Sequence, residues 1–401
     1  MIAVCREHRI AGEYLDIAQW HAARSAGSPL VARSAVAEWE NAVTGFLGMP
    51  HAVAVSMGRR AMTLTLEHLG VGRGDEVILP AFTCSILPWL VEQMGAKVVP
   101  ADIDPFTFNV TPDSVTRRIS DRTRAIVVLH AFGAPCPVDA IIQCVAERGI
   151  PVIEDCAHAL GAEVRGRPAG TSGYASFLSF QPGKPINTYG GGMVVTRDLS
   201  LVEYIRQRTV HDADDPGPMA SSVRHCQVDD WLYSSRFWPA LHFFLSRPWV
   251  QSRAREAIRL KARVPLAPIQ YLSEQAKLGL AKLPVLSRHL ARRREMAALL
   301  KSLLNPRIRV QHVEPDDLSS WHLFVVLLPC RAVPVQRRLF WRGVIARTGE
   351  DLLENCARLL GYGDCPNTAH LLAYAMGLPM YDDITEAEIS HVAAALNSCL
   401  F

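Results

Sequence analysis

What the sequence lacks narrows it first. Ten cysteines are scattered over 401 residues without a single C-x-x-C pair, which argues against structural zinc and for reduced, mostly buried thiols. Charge is nearly even, 42 basic against 39 acidic side chains for a net +3, so neither nucleic acid nor an anionic membrane surface is expected as a partner. No low-complexity tract occurs, and 49% hydrophobic with 20% charged residues is the composition of an ordinary soluble protein. Walker A and G-x-G-x-x-G sequences are both missing. No transmembrane segment is expected either. The most aromatic stretch, WLYSSRFWPALHFFLSRPWV at 231–250, carries Trp231, Trp238 and Trp249 but is broken by Arg236, Pro239, His242, Arg247 and Pro248. It reads as a packed hairpin or subunit-interface element, with contact to a membrane surface or lipid-linked substrate as the sharper alternative. The opening MIAVCREHRI is too charged and too short in apolar length for a signal peptide, so a cytoplasmic location is expected.

What is present is a regular alternation. The length suits two domains. After a helical start with Val36, Trp39, Val43, Phe46 and Leu47 at three- and four-residue spacing, strands are expected at Ala52–Ser56, Glu76–Pro80, Lys97–Pro100, Arg124–Leu129 and Ile150–Ile153. Helices fall between them, including Arg59–Leu69, one opening at Ala81-Phe82-Thr83-Cys84, and Val138–Arg148. That spacing predicts an α/β fold with a mostly parallel, helix-covered sheet. Beyond it, a long amphipathic helix over 270–303, strands at Arg307–Glu314 and Ser320–Pro329, and helices at Val335–Trp341 and Glu386–Ser398 predict a smaller α+β part. The expected division is 1–250 and 251–401. The cluster Arg288, Arg292, Arg293 and Arg294 is expected on the solvated face of the long helix.

Candidate chemistry centres on Tyr174–Thr196, YASFLSFQPGKPINTYGGGMVVT. A lysine in the turn between two apolar strands, Lys184, is placed to lose solvation, which lowers its pKa and frees a neutral amine to act as nucleophile or Schiff-base former; a solvated loop lysine is the plainer alternative. The strand–Gly58–helix junction aims backbone N–H groups and a helix dipole at one point, as an anion site requires, though it also suits a simple turn. Asp155 and His130 fall at carboxyl ends of predicted strands, where ligands of such sheets sit. For Asp155 the alternative is a helix N-cap, and for His130 a satisfied, half-buried histidine.

These stretches together make the chain resemble the DegT/DnrJ/EryC1/StrS family of pyridoxal-phosphate (PLP) dependent sugar aminotransferases, with the aspartate-aminotransferase fold, fold type I. The resemblance runs over nearly the whole chain and is carried by VSMGRRAM, GDEVILPAFTC, AKVVPADIDPFTFNV, RAIVVLHAFGAP, GIPVIEDCAHALGA, and SFQPGK followed by GGGMVVT. It implies that Lys184 carries the cofactor covalently and that Asp155 pairs with the pyridine nitrogen, keeping the ring an electron acceptor. It also implies that His158 lies against the ring, and that Ser179 with the Gly58-Arg59-Arg60 turn holds the phosphate. Glutamate or glutamine is the implied donor, a nucleotide-linked keto-sugar the implied acceptor, and a homodimer the implied assembly. The lysine also argues against the dehydratase branch of the family, where histidine takes its place.

The departures from the family pattern lie on the substrate side. Position 84, often an aromatic that stacks on the ring, is Cys84; the acid of the Gly-Glu-Gly-Gly run is replaced by Gly190; and the His-Tyr pair of the small domain gives way to Gly343-Val344-Ile345-Ala346-Arg347. An aminotransferase is therefore the leading reading, with a different PLP-dependent reaction on a non-sugar substrate, or a catalytically silent regulatory relative, as alternatives. Nothing in the pattern suggests a catalytic metal.

Overall fold

The computed structural model describes residues 29–234, 250, 253, 256, 268–362 and 365–400. Seven strands form the main sheet: β1 (His51–Val55), β2 (Glu76–Pro80), β3 (Lys97–Ala101), β4 (Thr123–Leu129), β5 (Val152–Asp155), β6 (Ala175–Ser179) and β7 (Gly192–Thr196). Their spatial order is β1-β7-β6-β5-β4-β2-β3. The β6, β5, β4, β2 and β3 strands pair in parallel, whereas β7 runs antiparallel to both β1 and β6. The parallel strands read as apolar runs because helices cover both faces, and all five residues of β2 are buried. Parallel pairing also sets the carboxyl ends of β4, β5 and β6 along one edge, which puts His130, Asp155 and Ser179 there together.

A second, antiparallel sheet takes β8 (Arg309–Val310), β9 (Phe324–Leu327), β10 (Arg347–Thr348) and β11 (Ala375–Leu378) in the order β8-β9-β11-β10. Its core includes Phe324, Val326, Val335, Met376, Ile389 and Leu396. The 31-residue helix Ser273–Leu303 joins the two packing centres. Leu283, Leu286 and Leu290 pack in the core that holds Trp39, while Met296, Ala297 and Leu300 enter the core of the second sheet. Near its start the helix meets the N-terminal helix Pro29–Leu47 so closely that a Cβ on Gly279 would sit 2.8 Å from the Trp39 ring. Trp39 is fully buried and stands edge-on to Phe180 at 5.3 Å between ring centroids; Phe180 is the first residue after β6, so this packing fixes the entry to the Lys184 loop.

Several expectations are corrected. Phe82–Thr83 is a two-residue strand paired with Glu354–Asn355, and the helix begins only at Ile86. The stretch HDADDPGPM at 211–219, which reads from its glycine and prolines as a loop, instead has Gly217 opening a helix that runs to Ser234. The arginine cluster is not one solvated face: Arg288 is exposed, but Arg293 is only 9% exposed, and half-buried Arg294 donates to the carbonyls of Ser319 at 2.9 Å and Gly161 at 2.8 Å. The boundary expected between 250 and 251 falls outside the described residues, because 251 is not described. Positions 235–249 of the aromatic run lie outside them too. Trp231, which is described, is 69% exposed.

Candidate functional site

Lys184 follows β6 on a loop tied down at both ends. The Phe180 carbonyl accepts from the Thr188 and Gly190 amides, the Gly191 carbonyl accepts from Phe180, and the Lys184 amide closes a turn onto the Gln181 carbonyl. The Thr188 hydroxyl bonds the Gly190 carbonyl at 2.6 Å and lies 3.2 Å from the Tyr271 hydroxyl. Tyr189 is buried at φ +59° and Gly190 sits at φ +141°. The latter is a backbone conformation closed to most side chains, which gives a local reason why this chain carries no acid at that position.

The loop carries Lys184 to the wall of a cavity of about 570 Å³, whose lining also includes Cys84, His158, His322 and Arg347. Burial lowers the proton affinity of the lysine, and the Arg347 charge adds to this; the charges of Asp155 and Cys84 oppose it. The net result is an amine more readily neutral than a surface lysine. Cys84 is exposed at the cavity wall.

Asp155 ends β5 and is 5% exposed. Burial pushes its pKa up to about 6, against the Ala157 N–H that donates to Oδ1 at 2.9 Å and the charge of Lys184. A carboxylate with one backbone donor is under-provided, and a cation beside it would relieve the cost. Its neighbour Glu154 is the opposite case. The Gly170, Ser172 and Gly173 amides donate to it at 2.9, 2.9 and 2.6 Å, and His130 Nε2 lies 3.0 Å away. Since His130 Nδ1 accepts from the Cys136 amide at 3.0 Å, its proton is on Nε2 and points to Glu154. His130 is thus a fully bonded core histidine that supports the end of β5.

His158 is sandwiched between Phe132, centroid distance 5.9 Å, and His322, 4.6 Å, with both neighbours stacked on it. Burial holds both histidines well below the usual range, so both are neutral. Gly58 opens the helix Gly58–His68, and its cap residue, Met57, makes no side-chain cap bond. A Cβ on Gly58 would meet the Leu178 carbonyl at 3.0 Å and Ser179 Cβ at 3.1 Å, and one on Gly192 would meet the Gly58 nitrogen at 2.3 Å. Gly58, Ser179 and Gly192 therefore converge into a cradle that additional side-chain atoms would fill. Ser56 Oγ, just before it, is buried without a partner. Arg59 donates from Nε to Met57 Sδ at 2.7 Å, and burial lowers its pKa against the charge of Cys84. Arg60 pairs with Asp212 at 3.4 Å.

Of the residues expected from the sequence, Lys184, His158 and Cys84 share the cavity wall, Asp155 is coupled to Lys184 through its charge, and Gly58 touches Ser179. His322, Asn187 and Arg293 also line the cavity and were not expected there, whereas Arg347 comes from the segment already read as a substrate-side departure. For Arg293 the signal was in the pattern: with Leu286, Leu290, Ala297 and Leu300 it occupies a three- and four-residue spacing, and all five are buried.

A partly buried lysine and a buried aspartate coupled beside one cavity, at the carboxyl edge of a mostly parallel sheet with a second antiparallel sheet, define an enzyme of aminotransferase fold type I. The chain belongs to the DegT/DnrJ/EryC1/StrS aminotransferase family, whose model matches residues 20–223 and 272–397. It is 29% identical over 368 residues to a pleiotropic regulatory protein of Geobacillus stearothermophilus, covering 89% of this chain and 87% of that one. To the spore coat polysaccharide biosynthesis protein SpsC of Bacillus subtilis it is 28% identical over 377 residues, covering 90% and 88%. Among solved structures, DesI, determined in the presence of its TDP-sugar product, superposes with a TM-score of 0.75 at 28% identity, covering all of this chain and 93% of that one. No described helix is long and apolar enough to cross a membrane.

Proposed function

We propose that this protein is a PLP-dependent aminotransferase that moves an amino group from glutamate or glutamine to a keto-sugar, nucleotide-linked, in a biosynthetic pathway. The observation that carries the reading is Lys184: an amine of lowered proton affinity on the wall of a 570 Å³ cavity, coupled to the buried Asp155. The polysaccharide role in the name of SpsC and the TDP-sugar product of DesI support a sugar acceptor.

The residues present fit the cofactor. Asp155 would hold the pyridine nitrogen, His158 would flank the ring, and the cradle of Gly58, Ser179 and Gly192, with Ser56 Oγ and Arg59, would take the phosphate. When bound, PLP supplies an electron sink for the pair released as the donor's α C–H bond breaks. Lys184 Nζ, whose proton affinity desolvation lowers, takes that α-proton in its neutral form and later returns one to the acceptor carbon. Asp155, held as a carboxylate by a cation beside it, keeps the ring nitrogen protonated. The cavity wall limits water around the amine during both half-reactions. The enzyme is a cytoplasmic homodimer in this reading, with a large domain over 1–250 and a small one over 251–401.

A panel of nucleotide-linked and free keto-sugars, each incubated with glutamate and analysed for the aminated product by mass spectrometry, tests the proposal. Amination of at least one nucleotide-linked keto-sugar is expected. A cofactor whose visible absorbance changes with amino acids while no sugar is aminated would move the activity to another PLP reaction.

A further inference from the structure

The near-even charge of the whole chain conceals a strongly basic region around the second sheet. Segments 296–313, 328–347 and 389–400 contain eight lysine and arginine side chains and no aspartate or glutamate. Net charge gave no reason to expect an anionic membrane surface, because the sum hides this local excess. The three segments fold against one core: Leu300 and Leu304 at the end of the helix Ser273–Leu303, Val335 and Leu339 from the helix Ala332–Phe340, and Val392 and Leu396 from the helix Glu386–Ser398. Hydrogen bonds tie their ends together. Asn397 donates from Nδ2 to the Leu303 carbonyl at 2.9 Å and accepts from the Asn305 amide at 2.8 Å, and His391 Nε2 donates to the Arg342 carbonyl at 2.8 Å. Burial raises the pKa of the Cys399 thiol, and the nearby charges of Arg342 and Arg338 oppose it, so the carboxyl ends of the helices Ala332–Phe340 and Glu386–Ser398 lie side by side.

The surface over this core is cationic and apolar at once. In the helix Ala332–Phe340 the buried residues are Ala332, Val335 and Leu339, at three- and four-residue spacing, which turns Val333, Arg337 and Trp341, just past its end, onto the opposite face. Arg338 and Arg342 flank that face and are exposed, as are Lys301 and Arg307 on the adjoining segment. Trp341 is 67% exposed, Val333 45% and Leu303 39%. Arg292 and Arg293 of the long helix are paired with Glu295 and Asp382, whereas none of Lys301, Arg307, Arg337, Arg338 and Arg342 pairs with an acid among the described residues. Asp351 meets the helix on its flank, 3.3 Å from Gln336 Nε2, and accepts from the Thr348 amide that it caps.

That combination specifies the partner. Exposed arginines are drawn to a surface of phosphate headgroups, and a tryptophan gains by entering the headgroup layer of a bilayer. A nucleic acid or another soluble polyanion would engage the arginines but leave Val333 and Leu303 in water. We propose that this face docks on an anionic lipid bilayer, with Arg337, Arg338 and Arg342 on the headgroup phosphates and Trp341 within the headgroup layer. Docking of this kind is independent of the reaction at Lys184.

The full chain, loaded with cofactor, is mixed with sedimentable vesicles of phosphatidylcholine alone or of phosphatidylcholine and phosphatidylglycerol in equal parts, and the pelleted fraction is measured. Binding to the mixed vesicles is expected, absent with phosphatidylcholine alone and lost at high salt. The double variant Arg337→Gln/Arg338→Gln should lower the partition coefficient about 25-fold, since each charge near such a surface is worth about fivefold, with cofactor absorbance unchanged. Trp341→Ser should lower it severalfold without altering its salt dependence. Should the double variant fail to fold, as read by circular dichroism, Arg342→Gln and Trp341→Ser carry the test. No pelleting with the mixed vesicles, equal pelleting with both compositions, or wild-type pelleting of every folded variant overturns the proposal. Retention on heparin without vesicle binding overturns it too, and makes the face a site for a soluble polyanion.

Discussion

Gly58 and Ser179 are in contact across the start of a helix and the end of a strand, so that a methyl group on the glycine would come within 3.1 Å of the serine Cβ and 3.0 Å of the Leu178 carbonyl. The contact sets how closely the helix Gly58–His68 can approach β6. Gly58→Ala should therefore push the helix start outward, costing about 1–3 kcal/mol as overpacking usually does. Gly192→Ala, whose Cβ would lie 2.3 Å from the Gly58 nitrogen, should cost more. Urea unfolding measures both, and retention of cofactor absorbance after gel filtration reports whether the cradle still holds phosphate. A Gly192→Ala protein of wild-type stability would show that the cradle is not the tight junction described.

Lys184→Ala should abolish transamination and remove the absorbance change that wild-type enzyme shows with glutamate. Loss of the proton-transfer base alone is worth about 100- to 10,000-fold, and loss of the covalent tether adds to it. Because Lys184 lies on a half-exposed loop held by backbone bonds, the variant should fold normally. Full turnover in Lys184→Ala would refute the mechanism.

How much of this could be read from the sequence differs by element. The parallel strands were legible because burial on both faces writes continuous apolar runs, and the ordered motifs around Gly58, Asp155, Ser179 and Lys184 carried the reading of a candidate site. Phe82–Thr83 was misread because two residues are too few to show a period, and their strand exists only through pairing with Glu354–Asn355, more than 270 positions away. Arg293 was misread for a different reason. Three adjacent arginines suggest a solvated face, and only the register of the flanking leucines shows that the middle one turns inward onto Asp382. His322 and Asn187 carry no pattern of their own, since their role depends on three distant segments meeting at one cavity.

The full bonding of Glu154 predicts a large cost for a nearly isosteric change. Burial raises its pKa, but the bonds from His130, Gly173 and Gly170 outweigh this, so it is charged. Glu154→Gln turns one acceptor oxygen into an NH2, which faces either the Ser172 and Gly173 amides at Oε1 or the Gly170 amide and His130 Nε2 at Oε2. At about 1–3 kcal/mol for each donor left unsatisfied, thermal unfolding should fall by several degrees, and the end of β5 that carries Asp155 should loosen. A melting temperature equal to that of wild type would mean that these bonds contribute nothing net.

Asp155 gives the pH prediction. In protein stripped of cofactor its pKa stands at about 6 rather than the usual 3.8, so the folded state binds this proton more tightly than the unfolded chain does. The ionised carboxylate is thus a penalty, complete above about pH 6 and vanishing as the pH falls below the ordinary aspartate value. That difference in proton affinity between folded and unfolded chain is worth about 3 kcal/mol at pH 8, falling to about half of that at pH 5. Asp155→Asn keeps an oxygen for the Ala157 amide but carries no charge. The stripped variant should therefore be more stable than stripped wild type at pH 8, by up to that amount, and the advantage should shrink by about half at pH 5. The loaded enzyme should behave the other way, because the cation beside Asp155 then offsets the penalty, and the variant should lose at least about tenfold in kcat. Denaturant titrations of both forms at the two pH values check this; a stripped Asp155→Asn protein less stable than wild type at pH 8 would show that the buried charge is already compensated by its neighbours.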